Sequence, residues 1–168
     1  LRALRNLCFQ PRRRFVHDEL GWNFRMSNLQ AALGLAQLER LDEFVRRKRA
    51  MGARYSMLLQ GTKGIGLPLA RTEYAESIYW VYGLVLQPEI GFDAREAMRR
   101  LEEADVGTRP FFWPMHLQPV FQRMALFAGE HYPVAEMLGR RGFYVPSGLA
   151  LTDAQIETVA RQVRERLA

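Results

Sequence analysis

Between positions 29 and 59, apolar residues recur in steps of three, four and seven: Leu29, Leu33, Ala36, Leu38, Leu41 and Val45, then Phe44, Met51, Tyr55 and Leu58. One face of an amphipathic helix has this period. Ser27-Asn28-Leu29-Gln30 marks its start as a capping box, the serine oxygen accepting from an amide three residues on while the glutamine reaches back. The pattern predicts one long helix over 28–59, stopped at Gly61, with Gly64, Gly66 and Pro68 in a loop. Residues 77–86 are rich in β-branched and aromatic side chains and read as a strand. A second capping box, Asp93 to Glu96, opens a helix running to about Ala104. Asp105 to Arg109 is a short strand stopped by Pro110, and Pro114 and Pro119 make 111–119 an ordered loop without regular structure. A helix follows around 133–140, then a strand at 143–145. A third capping box, Thr152 to Gln155, opens the terminal helix, whose Ile156, Val159, Val163 and Leu167 form its buried stripe. Residues 1–26 show little periodicity and read as an arm punctuated by Pro11 and Gly21. The predicted fold class is α+β, a small sheet covered on one face by helices.

Composition narrows this picture. The 168 residues suit one domain. No apolar run approaches the ~18 residues of a membrane span, so no membrane partner is expected. Cys8 stands alone, which excludes an internal disulfide, and no Cys/His spacing resembles a metal site, so no metal is expected. The opening Leu-Arg-Ala-Leu has neither a methionine nor an apolar signal segment, which suggests an internal or processed piece and a cytoplasmic location. The net charge of +6 rests on 22 arginines and two lysines, Lys48 and Lys63. Guanidinium groups pair with phosphates, and a basic chain can bind nucleic acid. Here the arginines stand beside acids, as in Glu39-Arg40 and Glu43 with Arg46-Arg47, which reads as a mixed solvated face. No nucleic-acid motif accompanies them, so nucleic acid is not an expected partner.

The chain contains no dinucleotide fingerprint, Walker loop, nucleophile elbow or zinc-protease motif. Both lysines read as solvated: Lys48 lies among arginines on a helix and Lys63 in a glycine-rich turn. Two segments carry more chemistry. In Gly21-Trp22-Asn23-Phe24-Arg25-Met26, an extended backbone puts Asn23 and Arg25 on one side, just ahead of a helix start. An amide donor and a guanidinium there can hold an anion such as phosphate. Equally, Asn23 can close a turn while Arg25 pairs with Asp18 or Glu19. In Arg109-Pro-Phe-Phe-Trp-Pro-Met-His116, prolines stiffen a loop of aromatics around one imidazole, which suits a ligand wall. The other reading is a small aromatic core with His116 bonded to backbone.

The run from His17 to Phe44, with Gly21-Trp-Asn-Phe-Arg-Met-Ser-Asn-Leu-Gln30 at its centre, resembles the DegT/DnrJ/StrS family of sugar aminotransferases. Arg109-Pro with Pro114-Met-His116-Leu-Gln-Pro119, and Val145-Pro146 with Leu151 to Ile156, match later family patterns in order. The arm, Leu4 to Phe9 with Arg14 to His17, is most similar to perosamine-synthase-like members. The resemblance implies a pyridoxal-phosphate enzyme of the aspartate aminotransferase fold (fold type I), in which a larger N-terminal domain holds the cofactor and its covalent lysine. Residues 1–27 would then be the end of the large domain and an active-site arm, 28–59 a long connecting helix, and 60–168 the small C-terminal domain with an antiparallel-type sheet. The family pattern makes Asn23, with Arg25, a contact to the cofactor phosphate across a homodimer whose active sites are shared between subunits. It places His116, Trp113, Phe112 and His17 at the nucleotide-sugar substrate. Glutamate is the implied amino donor. No catalytic residue falls in this chain, which is expected to be inactive by itself. The competing expectation is a non-catalytic binding or assembly module that retains the fold.

Overall fold

Three helices begin where side-chain oxygens cap them. A computed structural model describes residues 1–13 and 15–168 and shows two compact units, Leu1–Asp42 and Glu43–Ala168. Ser27 caps α1 (Asn28–Leu38) and Thr152 caps α6 (Asp153–Leu167), each with the reciprocal glutamine bond of a full capping box. Asp93 caps α3 (Ala94–Glu102) by accepting from the Glu96 amide. The Glu96 carboxylate meanwhile bonds Arg99 and Arg100, so the return half of that expected box is absent from the described contacts.

The single helix expected over 28–59 is two. After α1 the ladder is interrupted at Glu39-Arg40, and α2 spans Leu41–Leu59. The Arg40 amide bonds the Gln37 carbonyl, three residues back, in place of the one four back. Neither glycine nor proline marks the spot, and Glu39 keeps right-handed helical angles, so periodicity carried no sign of it. The buried stripe is also confined to α2, where Met51, Tyr55 and Leu59 are inside. No residue of α1 is buried, and Leu29, Leu33, Leu35 and Leu38 are all exposed.

The second unit is built on a four-stranded, wholly antiparallel sheet: β1 (Ile65–Gly66), β2 (Tyr82–Leu86), β3 (Arg109–Pro110) and β4 (Gly142–Val145), in the order β1-β2-β4-β3. Tyr82 pairs with Val145 and Leu84 with Phe143, and these four side chains are buried on one face. With Met51, Tyr55 and Leu59 of α2, Ala97 and Leu101 of α3, and Ile156, Val159, Val163 and Leu167 of α6, they make the core. Each fully buried side chain of this size contributes about 1.5–3 kcal/mol. Tyr55 stacks on Tyr82 at 4.8 Å and donates to the Pro146 carbonyl at 2.9 Å. Burial, with Tyr82 adding to it, pushes the Tyr55 hydroxyl well above the usual phenol range.

The other face of the sheet is shaped by two glycines. A Cβ on Gly83 would stand 2.8 Å from the Phe111 ring, and one on Gly142 would meet that ring at 2.2 Å and the Leu138 carbonyl oxygen at 2.5 Å. Phe111 therefore lies flat in a trough these residues leave open, beside α5 (Pro133–Arg141).

Three expected boundaries shift. The strand expected over 77–86 begins only at Tyr82, because Tyr79 turns into the left-handed region (φ 50°) and the Ser77 hydroxyl accepts from its amide. The strand expected from Asp105 is confined to Arg109-Pro110. Asp105 (φ 57°) instead closes α3 as the Val106 amide reaches back to the Leu101 carbonyl. The 111–119 loop contains a short 3₁₀ turn, Met115–Leu117, and leads into α4 (Pro119–Arg123). No helix among the described residues is long and apolar enough to cross a membrane.

Candidate functional site

In the first unit, backbone pairing holds the arm. Asn6 and Asn23 form an antiparallel bridge, with Leu7 N–H donating to the Trp22 carbonyl at 3.0 Å and Phe24 N–H to the Arg5 carbonyl at 2.9 Å. Gly21 permits the approach: a Cβ there would fall 2.4 Å from the Cys8 nitrogen. The bridge puts Asn23 opposite Asn6, and extended backbone brings Arg25 to the same side. Arg25 Nη1 donates to Asn6 Oδ1 at 3.2 Å, while Asp18 pairs with Arg13 and Glu19 accepts from Cys8. Asn23 is exposed, and its side-chain amide makes no hydrogen bond to the described residues. Asn6 is the member of this group that sequence reasoning missed. Only the pairing of two distant segments, one of them aperiodic, brings it in. His17 is exposed, with Nδ1 2.6 Å from the Leu7 carbonyl and its ring against Phe9 at 5.2 Å.

In the second unit, the proline-flanked loop presents Phe112, 77% exposed, and Trp113, whose indole N–H donates to the Leu117 carbonyl at 3.1 Å. His116 turns inward and is buried. Its Nε2–H donates to Glu136 Oε1 at 3.0 Å and its ring meets Tyr132 edge-on at 4.9 Å. Its partner is thus a carboxylate on α5, and not the backbone that one reading of the sequence favoured. Glu136 also accepts from the Tyr132 amide at 3.1 Å and faces Arg140 at 3.5 Å. The His116 bond, then the Tyr132 amide, holds the Glu136 carboxyl below the usual carboxylate range.

Lys48 departs from its expected solvated state. Its Nζ donates to the Trp80 carbonyl at 2.8 Å and the Ser147 carbonyl at 2.5 Å, and burial lowers its pKa. Lys63 is exposed in the turn after α2. Many arginines are paired as a mixed face requires: Arg47 with Glu43, Arg99 with Glu96 and Glu103, Arg161 with Glu165.

Known structures share this arrangement of helices over a small antiparallel sheet. The aminotransferase TlmJ of Streptoalloteichus hindustanus superimposes with a TM-score of 0.82 at 28% identity, covering 98% of this chain and 43% of that one. DesV of S. venezuelae, solved in complex with a ketimine intermediate, gives 0.78 at 28% identity over 98% of this chain and 42% of its own. The fold is that of sugar aminotransferases. Residues 1–164 match the DegT/DnrJ/EryC1/StrS aminotransferase family, and the chain belongs to it. Among curated relatives, GDP-perosamine synthase of Vibrio cholerae is 30% identical over 164 residues, 96% of this chain and 43% of the relative. The enzyme of that name from Escherichia coli O157:H7 is 32% identical over 154 residues, 91% of this chain and 40% of the relative. The chain therefore spans about two fifths of the length of these relatives. Aminotransferases of this family use pyridoxal phosphate.

Proposed function

We propose that this chain is the C-terminal part of a pyridoxal phosphate-dependent nucleotide-sugar aminotransferase. The complete enzyme would move an amino group from glutamate to a keto-deoxy sugar nucleotide in the cytoplasm, as a homodimer with shared active sites. Residues 1–27 then serve as the active-site arm at the end of the large domain, 28–59 as the connection and 60–168 as the small domain. The observation that carries this reading is the exposed Asn23 side-chain amide, which makes no hydrogen bond to the described residues, beside an Arg25 guanidinium steadied by Asn6.

That donor set fits the phosphate end of the cofactor: an amide N–H and a cation suit a dianion. Nothing in the chain fits its covalent end, since Lys48 is bound to two carbonyls and Lys63 sits in an exposed turn. When bound, the cofactor supplies the electron sink for transamination. The residues of this chain hold and orient. Asn23 donates to the phosphate across the dimer, and Arg25 adds charge beside it. Phe112 and Trp113 form a wall against the sugar nucleotide, His116 anchors that wall through Glu136, and His17 stands at the mouth.

In the complete enzyme, Asn23→Ala is expected to raise the cofactor Kd about tenfold, the loss of one hydrogen bond to a charged group, without lowering the melting temperature of the apo form. Unchanged cofactor affinity would reject the role. The occupied state of Lys48 fits this reading and equally a second one, a non-catalytic module. Spectra separate the two. The chain by itself should develop no lysine-linked cofactor absorbance, whereas the complete enzyme should; a borohydride-trapped adduct on Lys48 or Lys63 overturns the account of both lysines.

A further inference from the structure

The basic run Arg46-Arg47-Lys48-Arg49 reads in the sequence as part of a solvated face, but in α2 most of it is spent on backbone. Arg47 Nη2 donates to the Leu149 carbonyl at 2.5 Å, and Lys48 Nζ donates to the carbonyls of Trp80 and Ser147. Arg49 Nε reaches the Ser77 carbonyl at 3.5 Å, while its Nη2 pairs with Glu76 at 3.2 Å. Three consecutive side chains of one helix thus hold two loops, 76–80 and 147–149, that are distant in sequence. Successive helix positions diverge by about 100°, so the middle residue of the three is the one placed to meet both loops. Only Lys48 does so.

In the first of these loops, local preference and observed backbone disagree. Residues 77–86 have the composition of one strand, yet β2 begins only at Tyr82. Tyr79 takes φ 50°, a region that a residue with a Cβ enters at a cost. Its ring is buried against Gly52, one turn along α2 from Lys48, where a Cβ would fall 2.3 Å from that ring. The turn leaves Ile78 and Trp80 outside, Trp80 at 69% exposure. Trp80 and Ser147, one from each loop, border an open cleft of about 700 Å³ that Arg109 and Tyr144 also line. Local rules are broken chiefly where strain serves a function. A left-handed tyrosine held by a lysine, an arginine and a glycine notch is such a place.

We infer that Lys48 is a positioning residue: from α2 it clamps loops 76–80 and 147–149 together, in the arrangement that productive substrate binding requires. Arg47 and Arg49 each secure one loop, and the notch at Gly52 seats Tyr79. The Lys48 ammonium is spent on two neutral carbonyls, so it acts through the loops and not on the reacting atoms. A loop held beforehand in its bound shape lowers the ordering cost of binding, so the clamp bears on substrate KM and not on the chemical step. A brace that serves folding alone would instead lower thermal stability and leave KM where it is. The inference rests on the transferase reading above and gives work to a side chain which that reading leaves idle.

The test uses the complete enzyme and two readouts, hydrogen–deuterium exchange and steady-state kinetics. In Lys48→Met, peptides covering 76–81 and 146–150 should exchange about tenfold faster, the loss of hydrogen bonds to a charged group, while peptides within α3 and α6 keep their rates. Lys48→Arg, which retains donors for both carbonyls, should restore most of the protection. Gly52→Ala should free 76–81 by displacing Tyr79 and leave 146–150 protected. The KM for nucleotide sugar should rise about fivefold in Lys48→Met, on the scale of ordering one side chain, with kcat and the glutamate half-reaction preserved and KM recovered in Lys48→Arg. Unchanged exchange of both loops in Lys48→Met overturns the inference. Faster exchange with KM unmoved, or a lower melting temperature as the sole effect, marks a folding brace and overturns it too; in each of these cases the proposed function stands. A wild type that turns over no nucleotide sugar removes the proposed function and the positioning role together. Should Lys48→Met misfold, Gly52→Ala carries the decision: it must free 76–81 and raise KM at constant kcat, and a KM it leaves unmoved overturns the inference.

Discussion

Glu136 concentrates several interactions on one carboxylate. It faces His116 at 3.0 Å, Arg140 at 3.5 Å, His131 at 3.8 Å and the Tyr132 amide at 3.1 Å. A carboxyl held below its unfolded value contributes stability above that value, about 4.3 for glutamate, and loses it as pH falls through the folded one. The melting-temperature gap between the wild type and Glu136→Gln should therefore be widest near neutrality and close below about pH 4. A gap undiminished at about pH 3 would show that the charge on Glu136 is not what the neighbouring groups read. His116 was legible in the sequence as a singular imidazole in a stiff aromatic loop. Its partner was not, because His116 and Glu136 stand twenty positions apart with no pattern linking them, and only the packing of α5 brings the two together. Asn6 and Arg25, nineteen apart, pose the same problem in the arm.

At the level of elements, local signals worked where the deciding chemistry was local. The full capping boxes at Ser27 and Thr152 start helices where four consecutive residues imply. The box at Asp93 closed by half, because Glu96 has stronger partners in Arg99 and Arg100, one turn along the helix. Helix interruption at Glu39-Arg40 and the left-handed turn at Tyr79 had no such signature. Between β4 and α5 the fit is set by a missing side chain. Gly142 has ordinary extended angles (φ −98°, ψ 138°), so alanine there is excluded by space and not by backbone conformation. Its Cβ would meet both the Phe111 ring and the Leu138 carbonyl oxygen, the second of which cannot rotate away. Gly142→Ala should cost about 1–3 kcal/mol by overpacking, read as a lower midpoint in urea with little change in slope. A neutral result would mean that Phe111 and α5 yield more easily than a packed layer should.

On the scale of the whole molecule, the two units differ in what they bury. Glu43–Ala168 encloses a core of strands and helices, whereas α1 in Leu1–Asp42 buries none of its residues. Opening free energy follows buried apolar contact. In this chain, amides of α1 should exchange with solvent far faster than those of Leu84 and Val145, whose exchange should require global unfolding. Equal protection in α1 and β4 would refute that ranking. The residue order by itself determined the α+β class and the helix starts, because each depends on neighbours within a few positions or on side-chain periodicity. Tertiary structure alone decided that Lys48 is consumed in bracing two loops and that Arg109, Tyr144 and Trp80 share one cleft. Those outcomes depend on strand register and on backbone carbonyls far away in the chain, and register is set by the collective burial of a sheet face, which no short stretch of residues encodes.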